Sequence, residues 1–297
     1  MSDWDPVEYD REVAASAVED LMAPAVSVQV RRRTRVVEHV GFVAAFSVAS
    51  CVGVFVRCTL PNVDGMSFSQ LLFCNALGSF IMGMAVASRN SLEPRAYTVL
   101  TTGFCGALTT FSSWQQYASV EGVVQRNVGV AFVAVLVGMA VWISVFAVGK
   151  HTQGLGLWFV LAATAVVAVC LAVFMPLTKE AYIGVALGPV GGLPRYMFGL
   201  YLNEGIHGRC GTRFPFGTLL SNTLACAIVG VTLLITRNPK SSVIVGVAGA
   251  LSTVSTFIAE IDGLHDVRRV QYAYAIASFI LAQLLLGVFN GFIGVAG

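Results

Sequence analysis

The chain has 297 residues, of which 56% are hydrophobic and 11% charged, and its mean hydropathy of +0.77 is that of an integral membrane protein and not of a soluble domain. A net charge of +2, spread over loops instead of gathered in a stripe, argues against nucleic acid as a partner. The seven cysteines lie mostly in apolar stretches without CxxC or other metal-ligand spacing, which argues against a disulfide framework and against a zinc site.

Residues 1–38 carry many charges and no apolar run, so they read as a cytosolic, disordered tail with at most a short interfacial helix near Val13–Met22. Matched to the ~20 residues that a membrane helix needs, the apolar stretches predict nine spans, near 40–60, 68–88, 96–119, 128–149, 155–176, 181–202, 215–236, 242–260 and 270–292. The third holds Thr101–Trp114 (TTGFCGALTTFSSW) and the eighth its echo, Gly246–Phe257 (GVAGALSTVSTF). Each sets two glycines three apart, Gly103 and Gly106 or Gly246 and Gly249, before a run of hydroxyls. A helix unwound there frees backbone groups that survive in a bilayer only where protein, water or an ion satisfies them, so the pair predicts an interrupted-helix ion pathway.

The rest of the chain repeats around the fifth span, which is uniformly apolar and has no counterpart. LLFCNALGSFIMG with Asn75 and Gly83 matches LLSNTLACAIVG with Asn222 and Gly230, and Arg57 and Arg195 fall late in the first span of each half. The positive-inside rule then places the tail, with Arg31, Arg32, Arg33 and Arg35, and segments 89–95, 150, 209–213 and 268–269 in the cytosol; these hold twelve of the eighteen Lys and Arg. Four helices per repeat plus one tether invert the second half. The expected fold is all-α integral membrane with nine transmembrane helices: two antiparallel, inverted-repeat four-helix domains, residues 39–151 and 180–297, joined by a linker helix within 152–179, each third helix broken mid-membrane.

With asparagine in the second helix and a glycine-rich third helix ending in hydroxyls and two aromatic residues, each half resembles the Fluc family of fluoride channels. The two-domain form resembles the eukaryotic exporters, which look like a bacterial antiparallel dimer fused through one extra helix. Fluoride is small, strongly hydrated and acceptor-only, so hydroxyls, amide NH2 groups and positive aromatic edges are suitable weak, serial contacts.

The resemblance implies specific roles. The two phenylalanine positions of the family fall on Phe111 and Trp114 in the first half and on Val254 and Phe257 in the second, so one pore keeps Phe111 with Phe257 while its twin, with Trp114 and Val254, is degenerate. Asn75 and Asn222 become fluoride donors, with an interhelical bond as the plainer alternative. Thr110, Ser112, Ser113, Thr253, Ser255 and Thr256 are candidate pore hydroxyls, although any single one can bond back to its own helix. Tyr274 and Ser278 would line the surviving pore. A structural sodium ion at the centre of the domain interface would be held by the carbonyls of Gly106, Thr109, Gly249 and Ser252. Arg57 and Arg195 read as snorkelling residues.

The expectation is a passive, selective fluoride channel and not an enzyme, acting as a single chain in the lipid of the plasma membrane without nucleic acid or nucleotide. The N-terminus would be cytosolic and the C-terminus extracellular. The main rival is an inverted-repeat secondary transporter of another small solute, which needs an acidic residue within the membrane; Glu260 comes nearest to one. An intramembrane enzyme or a purely structural role finds no nucleophile, base or metal cluster, or leaves the duplicated asparagines unexplained.

Overall fold

The computed structural model describes residues 37–60, 68–152, 155–174, 177–204 and 213–295. The expected interfacial helix near Val13–Met22 and the arginines at 31, 32, 33 and 35 lie outside them. The chain divides into two units, Met1–Ala44 and Ala45–Gly297. The described part of the first, residues 37–44, is the opening of helix α1 (Val37–Thr59); the features below belong to the second.

Among the described residues the structure is predominantly helical, with no strand. Helix α2 is Phe68–Ala87. Helix α3, residues 94–108, starts with Pro94 after Glu93, whose carboxylate caps the Ala96 N–H at 2.8 Å, and it is wound as a π-helix over Val99–Cys105. Helix α4 is Phe111–Ser119, and a further π-turn runs to Val124. Helix α5 (Val128–His151) opens on the Asn127 cap and has Lys150 and His151 in its last turn, where cations suit the helix dipole. Helix α6 is Leu155–Phe174, α7 Lys179–Phe198, α8 Phe216–Thr236, α9 residues 243–251, α10 Ser255–Gly263 and α11 Arg268–Val295.

Among the described residues, seven helical segments are long and apolar enough to cross a membrane: α1, α2, α5, α6, α8, Val243–Gly263 and α11. The expected third and sixth spans are helical but outside that group. The third is divided at Thr109 and Thr110; α7 carries Lys179, Glu180 and Arg195 among glycines, with Pro189 and Pro194 inside the helix.

Packing follows the repeat. Helix α2 lies along α5, α8 along α11, and α7 against α9, while α6 leans on α2. On α11 every fourth residue, Tyr274, Ser278, Ala282, Leu286 and Asn290, is buried, and Ile276, Ile280 and Leu284 are exposed on the outer face. On α5 the buried stripe is Ala134, Gly138, Trp142 and Phe146, with Phe132, Val133 and Leu136 outside. The two stripes share a period and differ in chemistry.

A candidate ion pathway between the two halves

The glycine-hydroxyl segments unwind where their sequence loses helix-forming side chains for hydroxyl-bearing ones that compete for backbone bonds. Thr109 (φ −92°, ψ 151°) and Thr110 (φ −142°, ψ 117°) are extended between α3 and α4, and Ser252 (φ −85°, ψ 157°) begins the equivalent break between α9 and α10. Each break bonds to the opposite half. Thr109 Oγ1 accepts the amides of Val254 at 3.1 Å and Ser255 at 3.2 Å, and so caps α10. Ser252 Oγ accepts the Ser112 amide at 3.2 Å and lies 2.9 Å from Ser112 Oγ, near the start of α4. Thr110 and Thr253 cap their own half-helices through the Ser113 and Thr256 amides, at 3.3 and 3.2 Å.

The candidate hydroxyls therefore form one network across the halves, with Thr109 within 3.3 Å of Thr253 and 3.1 Å of Ser255, and Thr110 within 3.2 Å of Ser252. Ser113 and Thr256 are half-buried and reach cavities. Both half-helices start at these breaks, so their positive dipole ends and N-terminal amides gather there, which favours an anion.

Asn75 and Asn222 hold the breaks open. Asn75 Oδ1 accepts the Thr110 amide at 2.9 Å and its Nδ2 donates to the Thr110 carbonyl at 3.4 Å; Asn222 treats the Thr253 peptide the same way, at 2.8 and 3.3 Å. In an unbroken helix those two amides would bond the carbonyls of Gly106 and Gly249, so both carbonyls lose their helical donors.

The snorkelling expected of the two arginines is corrected. Arg57 and Arg195 are 7% and 4% exposed and turn inward. Arg57 donates to the Ala107 carbonyl at 2.9 Å and to the Val245 carbonyl, while Arg195 donates to the Thr102 carbonyl at 2.5 Å, the repeat-equivalent of Val245. Each guanidinium lies over a glycine of the other half, Arg195 on Gly106 and Arg57 on Gly249, where any Cβ would collide with it. Arg195 Nε and Nη1 have no hydrogen-bond partner among the described residues, and this arginine lines a cavity of about 660 Å³ with Thr102, Asn203, Thr218, Thr256 and Glu260.

From that cavity a line of polar and aromatic groups follows α11. The Glu260 carboxylate accepts from Thr218 Oγ1 at 2.5 Å, Tyr274 OH at 2.6 Å and Asn203 Nδ2 at 3.0 Å. Phe257 stands 5.2 Å from the Tyr274 ring and 5.4 Å from Phe111, centroid to centroid, and Phe279 lies 5.9 Å from each phenylalanine. The expected Phe111/Phe257 pair thus meets. Beyond the rings, Gln283 Nε2 bonds Gln115 at 2.8 Å, Gln116 and Asn290 exchange amide bonds at 3.0 and 3.3 Å, and Asn290 donates to Ser119 at 2.9 Å. A cavity of about 400 Å³ at Gln116, Glu121, Arg237 and Asn290 closes the line. Tyr274 and Asn290 are sixteen residues apart on α11, about 24 Å at 1.5 Å per residue. Ser278 Oγ bonds back to the Tyr274 carbonyl at 2.8 Å, and Tyr272 faces outward.

The twin positions hold no such line. Leu71 stands one turn before Asn75 where Thr218 precedes Asn222, and Tyr117 takes the place of Glu260. Between Val128 and Gly149 the side chains with polar atoms are Ser144, whose hydroxyl bonds back to Ala140 O at 2.7 Å, and Trp142. Trp114 and Trp142 pack edge to face at 4.5 Å, both fully buried, in contact with Gly138, and each indole N–H is tied to a carbonyl, that of Ala134 or Leu72. Val254 is buried and serves the break through its amide.

The asparagines, breaks and phenylalanine pair are all candidates that the sequence alone singles out. It does not single out Gln115, Gln116, Ser119 and Asn290, whose signal is amides and a hydroxyl in otherwise apolar segments, and it places Glu260 only in a rival function.

The model of the family described as CrcB-like protein, Camphor Resistance (CrcB) matches residues 42–150 and again 182–295. Fluoride export protein 1 of Candida albicans is 23% identical over 309 aligned residues, covering 82% of this chain and 78% of that protein. A fluoride-specific ion channel FluC of Acidobacterium capsulatum is 33% identical over 121 residues, which cover 38% of this chain and 91% of the relative. FluC 1 of Streptococcus pneumoniae is 32% identical over 111 residues, 36% of this chain and 94% of its own length. No solved structure matches the chain significantly.

Proposed function

Because the chain belongs to the CrcB-like family, matched once in each half, we propose that it is a passive, selective fluoride channel that exports cytosolic fluoride through a single pathway along α11. The observation that carries the single pathway is the contrast between the two buried stripes. Polar and aromatic groups accompany α11 from Glu260 to Asn290, whereas α5 offers one indole, Trp142, packed on Trp114 of α4.

Along the conducting pathway each asparagine NH2 spends one hydrogen on its break, so the other remains to meet the ion at Asn222. Thr256, Tyr274 and the edges of Phe111 and Phe257 supply further weak contacts. Arg195 and the α10 N-terminus raise the local anion concentration at the cavity. Serial weak sites favour passage over retention. Fluoride trapped in a cell by ionisation of entering HF is driven out by a negative-inside potential, about 2.3 kcal/mol per charge per 100 mV.

The finer architecture belongs to the same proposal: nine spans, with domains 39–151 and 180–297 inverted about the linker in 152–179, and a single chain in the plasma membrane with a cytosolic N-terminus. The reciprocal caps and reciprocal arginines support the inversion, since Ser252 accepts the Ser112 amide as Thr109 accepts the equivalent Ser255 amide, and Arg57 and Arg195 donate to the equivalent carbonyls of Val245 and Thr102. A sodium ion fits the centre, because the Gly106 and Gly249 carbonyls have lost their helical amides to Asn75 and Asn222 while the arginines use neighbouring carbonyls. Those carbonyls, with Thr109 and Ser252, would hold it, and it would supply a fixed positive charge tying the halves together.

The test is fluoride efflux from liposomes that contain the purified chain, under a potassium gradient with valinomycin. Fast efflux that needs valinomycin, with no chloride efflux, is expected. Absence of efflux from folded protein would overturn the reading.

A further inference from the structure

Along the interface of α4 and α11 three contacts follow one another. Phe111 stacks on Phe279, Gln115 meets Gln283, and Ser119 meets Asn290. Residues 111, 115 and 119 are each one helical turn apart and share a face, so Gln115 lies one turn, about 5–6 Å, beyond the phenylalanine pair on the side away from Glu260. It is fully buried.

The orientation of its amide is determined by its neighbour. Gln283 Nε2 donates to the Gln115 main-chain oxygen at 3.0 Å and to Gln115 Oε1 at 2.8 Å. A main-chain carbonyl only accepts, so the NH2 of Gln283 must face α4, and the side-chain oxygen of Gln115 must face Gln283. The Gln115 NH2 then points away, and Nε2 has no hydrogen-bond partner among the described residues. Its neighbours are closed by contrast: Gln116 and Asn290 satisfy each other, and Asn290 also reaches Ser119.

A donor pair held dry and unpaired is unfavourable in a resting structure and useful where an acceptor-only ion passes. A cation is excluded, because the exposed atoms are N–H groups. Nε2 is fully buried, which suits a small anion that needs only the donor. The repeat-equivalent of Gln115 is Ile258, so the twin lacks this feature along with the others.

The geometry points to Gln115 Nε2 as a fluoride-binding donor on the far side of the aromatic pair, with Gln283 as the positioning residue that aims it. The assignment rests on the channel reading above. It separates two tasks: Gln115 touches the ion, and Gln283 acts through Gln115.

The test is valinomycin-supported fluoride efflux from liposomes carrying the full chain, recorded against fluoride concentration for wild type, Gln115→Met and Gln283→Met. Gln115→Met is expected to slow efflux at least tenfold with an unchanged elution profile and melting temperature. Gln283→Met is expected to raise the half-saturating fluoride concentration while retaining a measurable maximal rate, since the amide is present but no longer held. Should Gln115→Met aggregate, Gln115→Ile, which puts the residue of the twin position Ile258 there, removes the donor without adding charge, and the same loss is expected. Wild-type rate and concentration dependence in a folded Gln115→Met would remove this site alone, leaving a trapped water or simple packing as its role. No efflux from the wild type would remove the channel reading and this site with it.

Discussion

Replacing Thr109 by valine tests the cross-stitching of the two halves. The hydroxyl accepts two amides at the start of α10, Val254 N at 3.1 Å and Ser255 N at 3.2 Å, and valine matches its shape while accepting neither. Two buried donors left unpaired bound the loss at about 2–6 kcal/mol. Helices unfolded in lipid or detergent find other partners, and measured interhelical bonds average about 0.6 kcal/mol, so the expected loss is at the low end, about 2 kcal/mol. The reciprocal Ser252→Ala strands one amide, Ser112 N, and is expected to lose about 1 kcal/mol. Unfolding by sodium dodecyl sulfate in mixed micelles, followed by fluorescence of the four tryptophans, measures both. Equal losses, or a loss under about 0.3 kcal/mol for Thr109→Val, half of that average for one interhelical bond, would refute the capping account.

Three further predictions concern the pathway and its surroundings. Asn222→Asp puts a fixed negative charge beside the conducting line and removes the donor to the Thr253 carbonyl, so fluoride efflux falls at least tenfold, whereas Asn75→Asp, on the twin side, lowers it less than threefold; liposome efflux compares the two. Trp142→Ala empties the packed twin stripe and lowers stability by about 3 kcal/mol, yet leaves efflux within twofold of wild type, because α5 carries no row of donors to replace the indole. Asp262→Asn breaks the half-exposed ion pair with Lys150 at 2.7 Å and lowers stability by less than about 1 kcal/mol, an effect that shrinks further in high salt.

What could be read in the sequence was what local pattern encodes. Apolar length marks the helices, and the glycine-hydroxyl runs mark the segments that break, although the glycines stay helical and the extended residues are the hydroxyl-bearing Thr109, Thr110 and Ser252. The duplicated asparagines were legible as a pair, though their shared task of holding a peptide was one of two open readings. The inward turn of Arg57 and Arg195 was not legible. Their partners lie far along the chain, Thr102 from Arg195 and Val245 from Arg57, and an arginine late in a span has the same local signature whether it snorkels or crosses a domain interface. Gln115 and Gln283 are likewise ordinary polar residues until α11 is laid beside α4. Sequence marks Trp114 as a degenerate pore position but not its pairing with Trp142, which depends on Gly138 admitting both indoles.

The central claim is that fluoride passes along α11 at the edges of Phe111 and Phe257 and not through the twin. The most direct measurement is valinomycin-supported fluoride efflux from liposomes carrying either Phe111→Ile with Phe257→Ile or, separately, Val254→Ile with Tyr117→Phe. The account predicts that the first variant loses efflux at least tenfold and that the second keeps the wild-type rate. Efflux preserved in the first and lost in the second would contradict it.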